Sequence, residues 1–255
     1  LCAERDIKVL ILEINQDAVD AAKDRLLNGI PAPIDNPEKM ANIETGTFDK
    51  DLEKLKNYDW ICEAIIENAE AKRGLIKRVE EVRSDHTILT SNTSGILLKE
   101  ISEGMPDRLK KNLAVTHFFN PVKAMKLLEI VPGSDTDPET IEALNLFCTY
   151  TLEKGVVIAK DTISFIANRI GCFFMFIGLH KGKEALEKGL SQEKETKQCL
   201  NSMNVCVVSR IPPYGPQNHL KFMSEQSRNA RIPRLHELGH GYLKKRAIYQ
   251  AKCSR

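Results

Sequence analysis

Short apolar runs alternate with amphipathic segments from residue 8 to residue 131, and this alternation limits the possible folds more than any other feature. Strands are predicted over 8–12, 59–66, 87–90, 112–116 and 127–131, a turn or edge segment over 46–50, and helices over 16–28 and 69–83. Strands that alternate with helices predict an α/β fold, in which a parallel sheet carries helices on both faces. Ligands of such sheets bind beyond the carboxyl ends of the strands, so the residues that follow each run are the first candidates for a site.

The composition changes near residue 190. Residues 191–255 carry 12 Lys and Arg against 4 Asp and Glu, whereas residues 1–190 carry 25 against 31. A long apolar helix is predicted over 165–190, so we expect a second, helical domain to begin near residue 160. Asn168 lies in a polar pair inside this helix, either as a buried amide in helix packing or as a contact to a ligand.

The chain lacks the patterns that are typical of membrane or secreted proteins. Its best candidate for a membrane span, 170–179, has about half of the length that a spanning helix needs. No charged segment followed by an apolar one opens the sequence, so no signal peptide is predicted. The 7 Cys are scattered and odd in number, which favours free thiols in a reducing compartment, and we expect a cytoplasmic protein.

Three polar residues with complementary chemistry follow or interrupt the predicted strands. Ser94 ends the Ser-Asn-Thr-Ser segment 91–94, His117 follows the next strand, and Glu129 lies within the apolar run 127–131. A hydroxyl, an imidazole and a carboxylate are the groups that move a proton off an alcohol. The serine segment is also typical of a turn or a helix N-cap, and His117 could be a hydrogen-bonded histidine at a strand end. Glu129 needs a partner, because burying an unpaired carboxylate is costly, and a nearby imidazole would serve.

Glu13 ends the first apolar run. An acid at this point of a dinucleotide-binding fold hydrogen-bonds the adenosine ribose and repels a 2′-phosphate, which favours NAD over NADP. An ordinary solvated Glu after a strand is the alternative. A glycine-rich phosphate loop normally precedes such an acid by about twenty residues, but no Gly occurs before Glu13. Residues 1–5 resemble the end of a helix already under way, so either the loop is absent or the sequence record is truncated.

The basic tail contains a possible metal motif. His236, Glu237 and His240 match the His-Glu-x-x-His pattern, which on a helix places two imidazoles around zinc with the Glu as base. Gly239 weakens the helix, and no Asp or Glu follows Glu237 to act as a third ligand. We therefore predict no metal site, with a zinc hydrolase as a remote alternative. The basic run 244–246 has no aromatic platform beside it and favours a solvated face over nucleic-acid binding.

Four segments together make residues 1–190 resemble the L-3-hydroxyacyl-CoA dehydrogenase family of fatty acid β-oxidation. They read Glu-Ala-Ile-Ile-Glu-Asn at 63–68, Ser-Asn-Thr-Ser at 91–94, His-Phe-Phe-Asn-Pro at 117–121 with Met-Lys-Leu-Leu-Glu at 125–129, and Lys-Asp-Thr at 160–162 with Phe-Ile-Ala-Asn-Arg at 165–169. The sequence is most similar to bacterial-type long-chain members, in which this module is fused to an enoyl-CoA hydratase. The resemblance implies that an L-3-hydroxyacyl-CoA is oxidised to a 3-oxoacyl-CoA with NAD as cofactor.

The resemblance also implies roles for individual residues. His117 is implied to be the general base for the 3-hydroxyl proton, and Glu129 is implied to orient its ring. Ser94 is implied to bind the substrate oxygen near the nicotinamide, and Asn168 to add a second contact from the helical domain. The positions that contact NAD in the family are Glu13, Ile65, Ile66, Glu67, Lys72, Ser94 and Asn120.

The resemblance implies a partial Rossmann-type parallel sheet, without its first strand and glycine loop, followed by an incomplete all-α domain. We expect the NAD-binding domain over 1–158, the start of the helical domain over 159–198, and an irregular basic tail over 199–255 outside the family. The tail is most simply explained by a frame change or a mis-joined gene model. Family members often dimerise. The alternative to an active enzyme with an acyl-CoA substrate is an inactive fragment or pseudo-enzyme remnant.

Overall fold

The computed structural model describes residues 1–30, 32–187 and 246–249. The strands are β1 Lys8–Glu13, β2 Ile43–Thr47, β3 Trp60–Glu63, β4 Ile88–Ser91, β5 Leu113–Phe118, β6 Leu127–Pro132, β7 Gly155–Ile158 and β8 Arg246–Tyr249. The helices are α1 Gln16–Asn28, α2 Phe48–Asp51, α3 Ala69–Val82, α4 Leu98–Ile101, α5 Asp107–Lys111, α6 Pro138–Leu146 and α7 Ala167–Glu187. Short 3-10 segments cover Ala3–Arg5, Pro37–Asn42 and Leu52–Asn57, and a π-helical turn covers Phe147–Thr151.

Two of the helices that return the chain between strands, α1 and α3, begin at side-chain caps. The Asn15 side chain accepts a hydrogen bond from the backbone N–H of Ala18, and the Asn68 side chain accepts one from Ala71, each at 2.9 Å. These bonds satisfy backbone donors that have no partner inside the first turn of a helix. The caps therefore fix where α1 and α3 begin, close to the carboxyl ends of the strands that precede them.

One mixed sheet contains all eight strands in the order β2-β1-β8-β3-β4-β5-β6-β7. The α/β class is confirmed, because every neighbouring pair is parallel except β5 with β6. The sequence analysis predicted a parallel sheet, and β6 departs from that prediction by pairing antiparallel with β5. The eight residues between β5 and β6 form a turn rather than a crossover helix, so β6 returns antiparallel to its neighbour. The parallel strand β7 was not predicted from the sequence.

The two faces of the sheet carry different chemistry, since successive side chains of a strand point to opposite faces. One face is mainly apolar, and its Trp60 ring packs edge-on against Phe147 with the ring centroids 5.5 Å apart. Leu144 of α6 belongs to the same buried cluster. The other face carries the buried polar side chains of Glu63 and His117 and receives α3. Helices therefore cover both faces of the sheet. Glu63 and His117, which lie near the carboxyl ends of their strands, are on the same face.

Strand β8 lies between β1 and β3 and is parallel to both. Its register pairs Ile248 with Leu10 on one side and Tyr249 with Cys62 on the other. The predicted irregular tail therefore contains one regular segment, which contributes an interior strand. The remainder of 199–255, with His236, Glu237 and His240, lies outside the described residues.

The chain divides into two compact units: the first contains Leu1–Thr162 together with β8, and the second begins at Ile163. The described part of the second unit is residues 163–166 and α7, and this helix agrees with the long helix predicted over 165–190. Its apolar side chains are largely exposed among the described residues, for example Phe176 at 70%. None of the helices in the described part of the chain is both long and apolar enough to cross a membrane.

We expect removal of β8 to destabilise the sheet. A chain that ends at Lys245 leaves the facing edges of β1 and β3 without their partner, and unpaired backbone groups in a sheet interior are costly. Its melting temperature should fall by at least about 5 °C, or roughly 2 kcal/mol, and the amides of β1 should exchange faster. A chain that ends at Tyr249 keeps β8 and is the control; equal melting temperatures for the two would contradict the interior position of β8.

Candidate functional site

His117 and Glu129 form a buried pair at the centre of the site. They stand directly opposite each other in the β5–β6 ladder, and Nδ1 of His117 lies 2.8 Å from Oε2 of Glu129. The exposed fractions are 4% and 1%. An ionised carboxylate can only accept, so Nδ1 carries the proton in this contact and Nε2 is the basic nitrogen. The sequence placed His117 just past its strand, but the antiparallel ladder extends β5 to Phe118 and includes it.

Asn92 and Phe119 contact the end of β5. The backbone N–H of Phe118 donates to Oδ1 of Asn92 at 2.8 Å, and the backbone N–H of Asn92 donates to the carbonyl of Glu63 at 2.7 Å. The ring of Phe119 lies 4.4 Å from the His117 ring between centroids. Sequence reasoning gave Asn92 no role, although an amide directly after a strand was the available signal. It connects the ends of β3, β4 and β5 and so supports the position of His117.

The side chain of Glu67 holds the loop that carries Ser94 through hydrogen bonds. Its Oε1 accepts from the Thr93 hydroxyl at 2.6 Å and from the backbone N–H groups of Ser94 and Gly95 at 2.8 and 3.1 Å. Burial opposes ionisation, but these bonds and the nearby Lys72 ammonium hold the pKa of the Glu67 carboxyl below its usual value. The charge of Glu67 therefore positions the half-buried Ser94.

A second carboxylate, that of Glu63, binds the loop after β3. Lys72 is 1% exposed, and its Nζ lies 2.8 Å from Oε1 of Glu63. The same Oε1 accepts from the backbone N–H of Ile65 at 2.6 Å, and Oε2 accepts from the Ser91 hydroxyl at 2.5 Å. Sequence reasoning missed Glu63, although an acid inside an apolar strand signals a buried partner, as it did for Glu129. Lys72, predicted as a cofactor contact, is placed beneath the loop that carries Ile65 and Ile66.

The remaining predicted site residues lie at separate points. Glu13 is the last residue of β1 and is 4% exposed, Ile66 is 64% exposed after β3, and Asn120 is exposed in the turn after β5. Glu13, His117 and the loops that carry Ile66 and Ser94 share the carboxyl edge of the parallel strands, where ligands of such sheets bind. Asn168 is the second residue of α7 and belongs to the second unit.

The described residues offer polar groups for a dinucleotide but no cluster of ligands for a metal ion. A buried carboxylate ends β1, and polar side chains line the loops after β3, β4 and β5, which fits the ribose and amide groups of such a cofactor. No group of three or more His, Cys, Asp or Glu in this part of the chain could hold a metal. The zinc motif at 236–240 lies outside it, so the zinc alternative stays a prediction.

Comparisons with known proteins show which sequences and folds the chain resembles. A family model described as the 3-hydroxyacyl-CoA dehydrogenase NAD binding domain matches residues 1–162. A probable 3-hydroxyacyl-CoA dehydrogenase of Bacillus subtilis is 44% identical over 156 residues, which are 61% of this chain and 20% of that protein. A putative fatty acid oxidation complex trifunctional enzyme of Rickettsia felis is 37% identical over 182 residues, 69% of this chain and 25% of that protein.

A solved structure extends the likeness to the fold. The (S)-3-hydroxybutyryl-CoA dehydrogenase of Ralstonia eutropha superposes with a TM-score of 0.59 at 27% sequence identity, over 76% of this chain and 68% of that one. The chain spans only a fifth to a quarter of the length of the Bacillus and Rickettsia relatives.

We expect Glu67→Gln to weaken the Ser94 loop in a pH-dependent way. At neutral pH the substitution should lower the free energy of unfolding by roughly 1 kcal/mol, because it removes a charge-assisted acceptor that is partly exposed. The pKa of Glu67 is lowered by folding, so its contribution is present above the unfolded value of 4.5 and is lost as the pH falls through the folded value. Urea unfolding at several pH values measures the difference.

The matched control is Glu81→Gln, which changes an exposed carboxylate on α3. A difference between wild type and Glu67→Gln that stays constant down to acidic pH would contradict the role of the charge.

Proposed function

We propose a function from one premise: the chain belongs to the 3-hydroxyacyl-CoA dehydrogenase family, whose NAD-binding domain it carries over residues 1–162. The reaction that the site supports best is the NAD-dependent oxidation of an L-3-hydroxyacyl-CoA to a 3-oxoacyl-CoA, and its reverse. The observation that carries this proposal is the buried contact between His117 Nδ1 and Glu129 Oε2 at 2.8 Å. A carboxylate that orients an imidazole at a ligand-binding edge is the arrangement for general base catalysis.

His117 is proposed to accept the proton of the 3-hydroxyl through Nε2. The ring needs a fixed tautomer for this step, and Glu129 supplies it by accepting from Nδ1. When the imidazole becomes an imidazolium, the adjacent buried carboxylate attracts and stabilises the new positive charge. Ser94 is proposed to donate to the substrate oxygen, where negative charge develops, with Asn168 as a second contact. NAD, when bound, supplies the hydride acceptor.

The cofactor is proposed to lie along the carboxyl edge of the parallel strands. Glu13 would accept from the adenosine ribose hydroxyls, and its charge would disfavour a 2′-phosphate. Ile65 and Ile66 would provide apolar contact, and Glu67 and Asn120 polar contact. Lys72 would act through the loop above it, because its ammonium is occupied by Glu63.

A second candidate is a pseudo-enzyme that keeps the fold and lacks turnover. In dinucleotide folds a glycine-rich turn after the central strand binds the pyrophosphate. The strand between β1 and β3 here is β8, and none of the residues from Gln250 to Arg255 is glycine. An acyl-CoA substrate, dimerisation and fusion to an enoyl-CoA hydratase remain proposals for the whole protein.

We expect His117→Gln to abolish most of the activity. In an assay that follows NADH oxidation by a 3-oxoacyl-CoA, kcat should fall by about 10²- to 10⁴-fold, because the proton donor of the reduction is lost. The dissociation constant for NADH should stay within about threefold of wild type. His86→Gln changes an exposed histidine outside the site and is the control.

The same assay separates the two candidates. Binding of NADH without turnover by the wild-type chain would favour the pseudo-enzyme, and loss of turnover in both His variants alike would remove His117 from the mechanism.

We expect Glu13→Gln to reduce discrimination between the cofactors. The wild-type chain should bind NADH more tightly than NADPH, and the ratio of the two dissociation constants should fall by roughly tenfold in the variant, or about 1.4 kcal/mol. The physical reason is that the charge of Glu13 no longer repels the 2′-phosphate. Fluorescence titration measures both constants, and Glu53→Gln, which changes an exposed carboxylate, is the control. A ratio that Glu13→Gln leaves unchanged would place the ribose elsewhere.

A further inference from the structure

The turn over residues 119–126 joins β5 to β6 and carries Asn120. Within the turn, the N–H groups of Ala124 and Met125 donate to the carbonyl of Pro121 at 3.0 and 2.9 Å. The β5–β6 ladder ends at Phe118, so it does not extend into this segment. The position of the exposed Asn120 therefore depends on contacts that reach the turn from other elements.

Lys123 of the turn pairs with the exposed Asp35 at 2.5 Å, and the buried contacts come from Lys154, in the loop before β7. Its side chain is buried, and Nζ donates to the backbone carbonyls of Val122 and Met125, the latter at 2.7 Å. The next residue, Gly155, donates its N–H to the carbonyl of Lys126 at 2.8 Å. Three carbonyls of the turn are thus bound by two consecutive residues. A side chain that donates to carbonyls three residues apart fixes the path of the backbone between them.

We propose that Lys154 is a positioning residue, whose ammonium group holds the turn over 119–126 in the conformation that places Asn120 at the cofactor. The proposal rests on the function proposed above, in which Asn120 contacts NAD. Lys154 does not itself touch the reacting atoms. Its effect would pass through the turn, so it should change cofactor binding more than the chemical step.

The surroundings of Lys154 explain why its hydrogen bonds matter. In the described part of the chain no carboxylate forms an ion pair with it, and the charged or titratable groups that face it are the Lys126 ammonium, the Cys148 thiol and the amino group of Leu1. Burial, and then the Lys126 charge, lower the pKa of Lys154 to about 8. The dipoles of the two carbonyls are therefore the main partners of a buried cation, and removal of that cation leaves them without a donor.

The lowered pKa gives the role a pH signature. An ammonium donates more strongly to carbonyls than a neutral amine does, so the turn should loosen as the pH rises through about 8. The free energy of unfolding of the whole chain should instead increase as the pH rises through this range. The unfolded chain holds this proton up to a pH near 10.5, so the contribution of Lys154 ionisation to stability grows between about 8 and 10.5. Weaker cofactor binding without loss of stability over this range would separate positioning from a general structural role.

The first experiment compares Lys154→Met, which keeps the length of the side chain without its donors, with Lys154→Arg, which keeps charge and donors. Lys154→Met is expected to raise the NADH dissociation constant and the KM for NADH by about tenfold, with kcat within about threefold. Lys154→Arg is expected to stay within about threefold of wild type. Lys50→Met changes an exposed lysine and is the matched control. A defect of equal size in Lys154→Arg would contradict the role of the cationic donor.

A double-mutant cycle tests whether Lys154 acts through the turn. Asn120→Ala is combined with Lys154→Met, and the double variant is expected to bind NADH no more weakly than the weaker single variant, because both remove the same contact. Additive losses would overturn the proposal. No NADH binding by the wild-type chain would overturn the proposed function and the positioning role with it, whereas normal binding by Lys154→Met would overturn the positioning role alone.

If Lys154→Met does not fold, a pH titration of NADH binding tests whether the Lys154 ammonium positions the turn. The NADH dissociation constant of the wild-type chain is expected to rise as the pH passes about 8, and that of Lys154→Arg is expected to stay flat, because a guanidinium remains charged. Parallel curves for the two proteins would overturn the proposal.

Discussion

The antiparallel pairing of β5 with β6 is the constraint on which the candidate site depends. It places His117 opposite Glu129, so that two residues twelve positions apart form a 2.8 Å contact in the interior of the sheet. A shift of the register by one residue would turn Glu129 to the apolar face, where a carboxylate would have no imidazole beside it. The hydrogen bonds of the ladder therefore determine the chemistry of the pair, and the pair in turn satisfies a carboxylate that the strand would otherwise bury alone.

Side-chain contacts rather than backbone ladders fix the loops at the carboxyl edge. Glu67 binds the Ser94 loop, Glu63 supports the loop after β3, and Lys154 binds the turn that carries Asn120. Each contact pairs a charge with backbone groups, which is stronger than a bond between neutral groups. Such bonds fix the positions of loops in which a sheet offers no partners, and this is what a binding edge requires. Of these supporting residues, Glu63 and Lys154 are buried beside the proposed ligand contacts, whereas Glu67 is exposed and is itself a proposed contact.

The position of β8 shows how a sheet depends on distant parts of its chain. β1 and β3 are neighbours in sequence among the interior strands, yet β8 separates them. Parallel strands do not need to be adjacent in sequence, because each requires only a partner with free N–H and C=O groups on the facing edge. Strand β8 thereby joins β1, which carries Glu13, to the strands that lead to β5, which carries His117. The chain's own carboxyl-terminal region completes the interior of the sheet on which the cofactor is proposed to lie.

The sequence by itself determined five elements of the first unit and the chemistry of the pair His117 and Glu129. Periodicity located β1, β3, β4, α1 and α3 within a few residues, because it reflects only which side of each element is buried. The isolated acid Glu129 predicted a buried partner for the same reason. The tertiary structure alone decided the antiparallel direction of β6, the place of β8 in the sheet, and the roles of Asn92 and Lys154. Strand direction, strand order and side-chain bonds to distant carbonyls depend on partners far away in sequence, which no local pattern records.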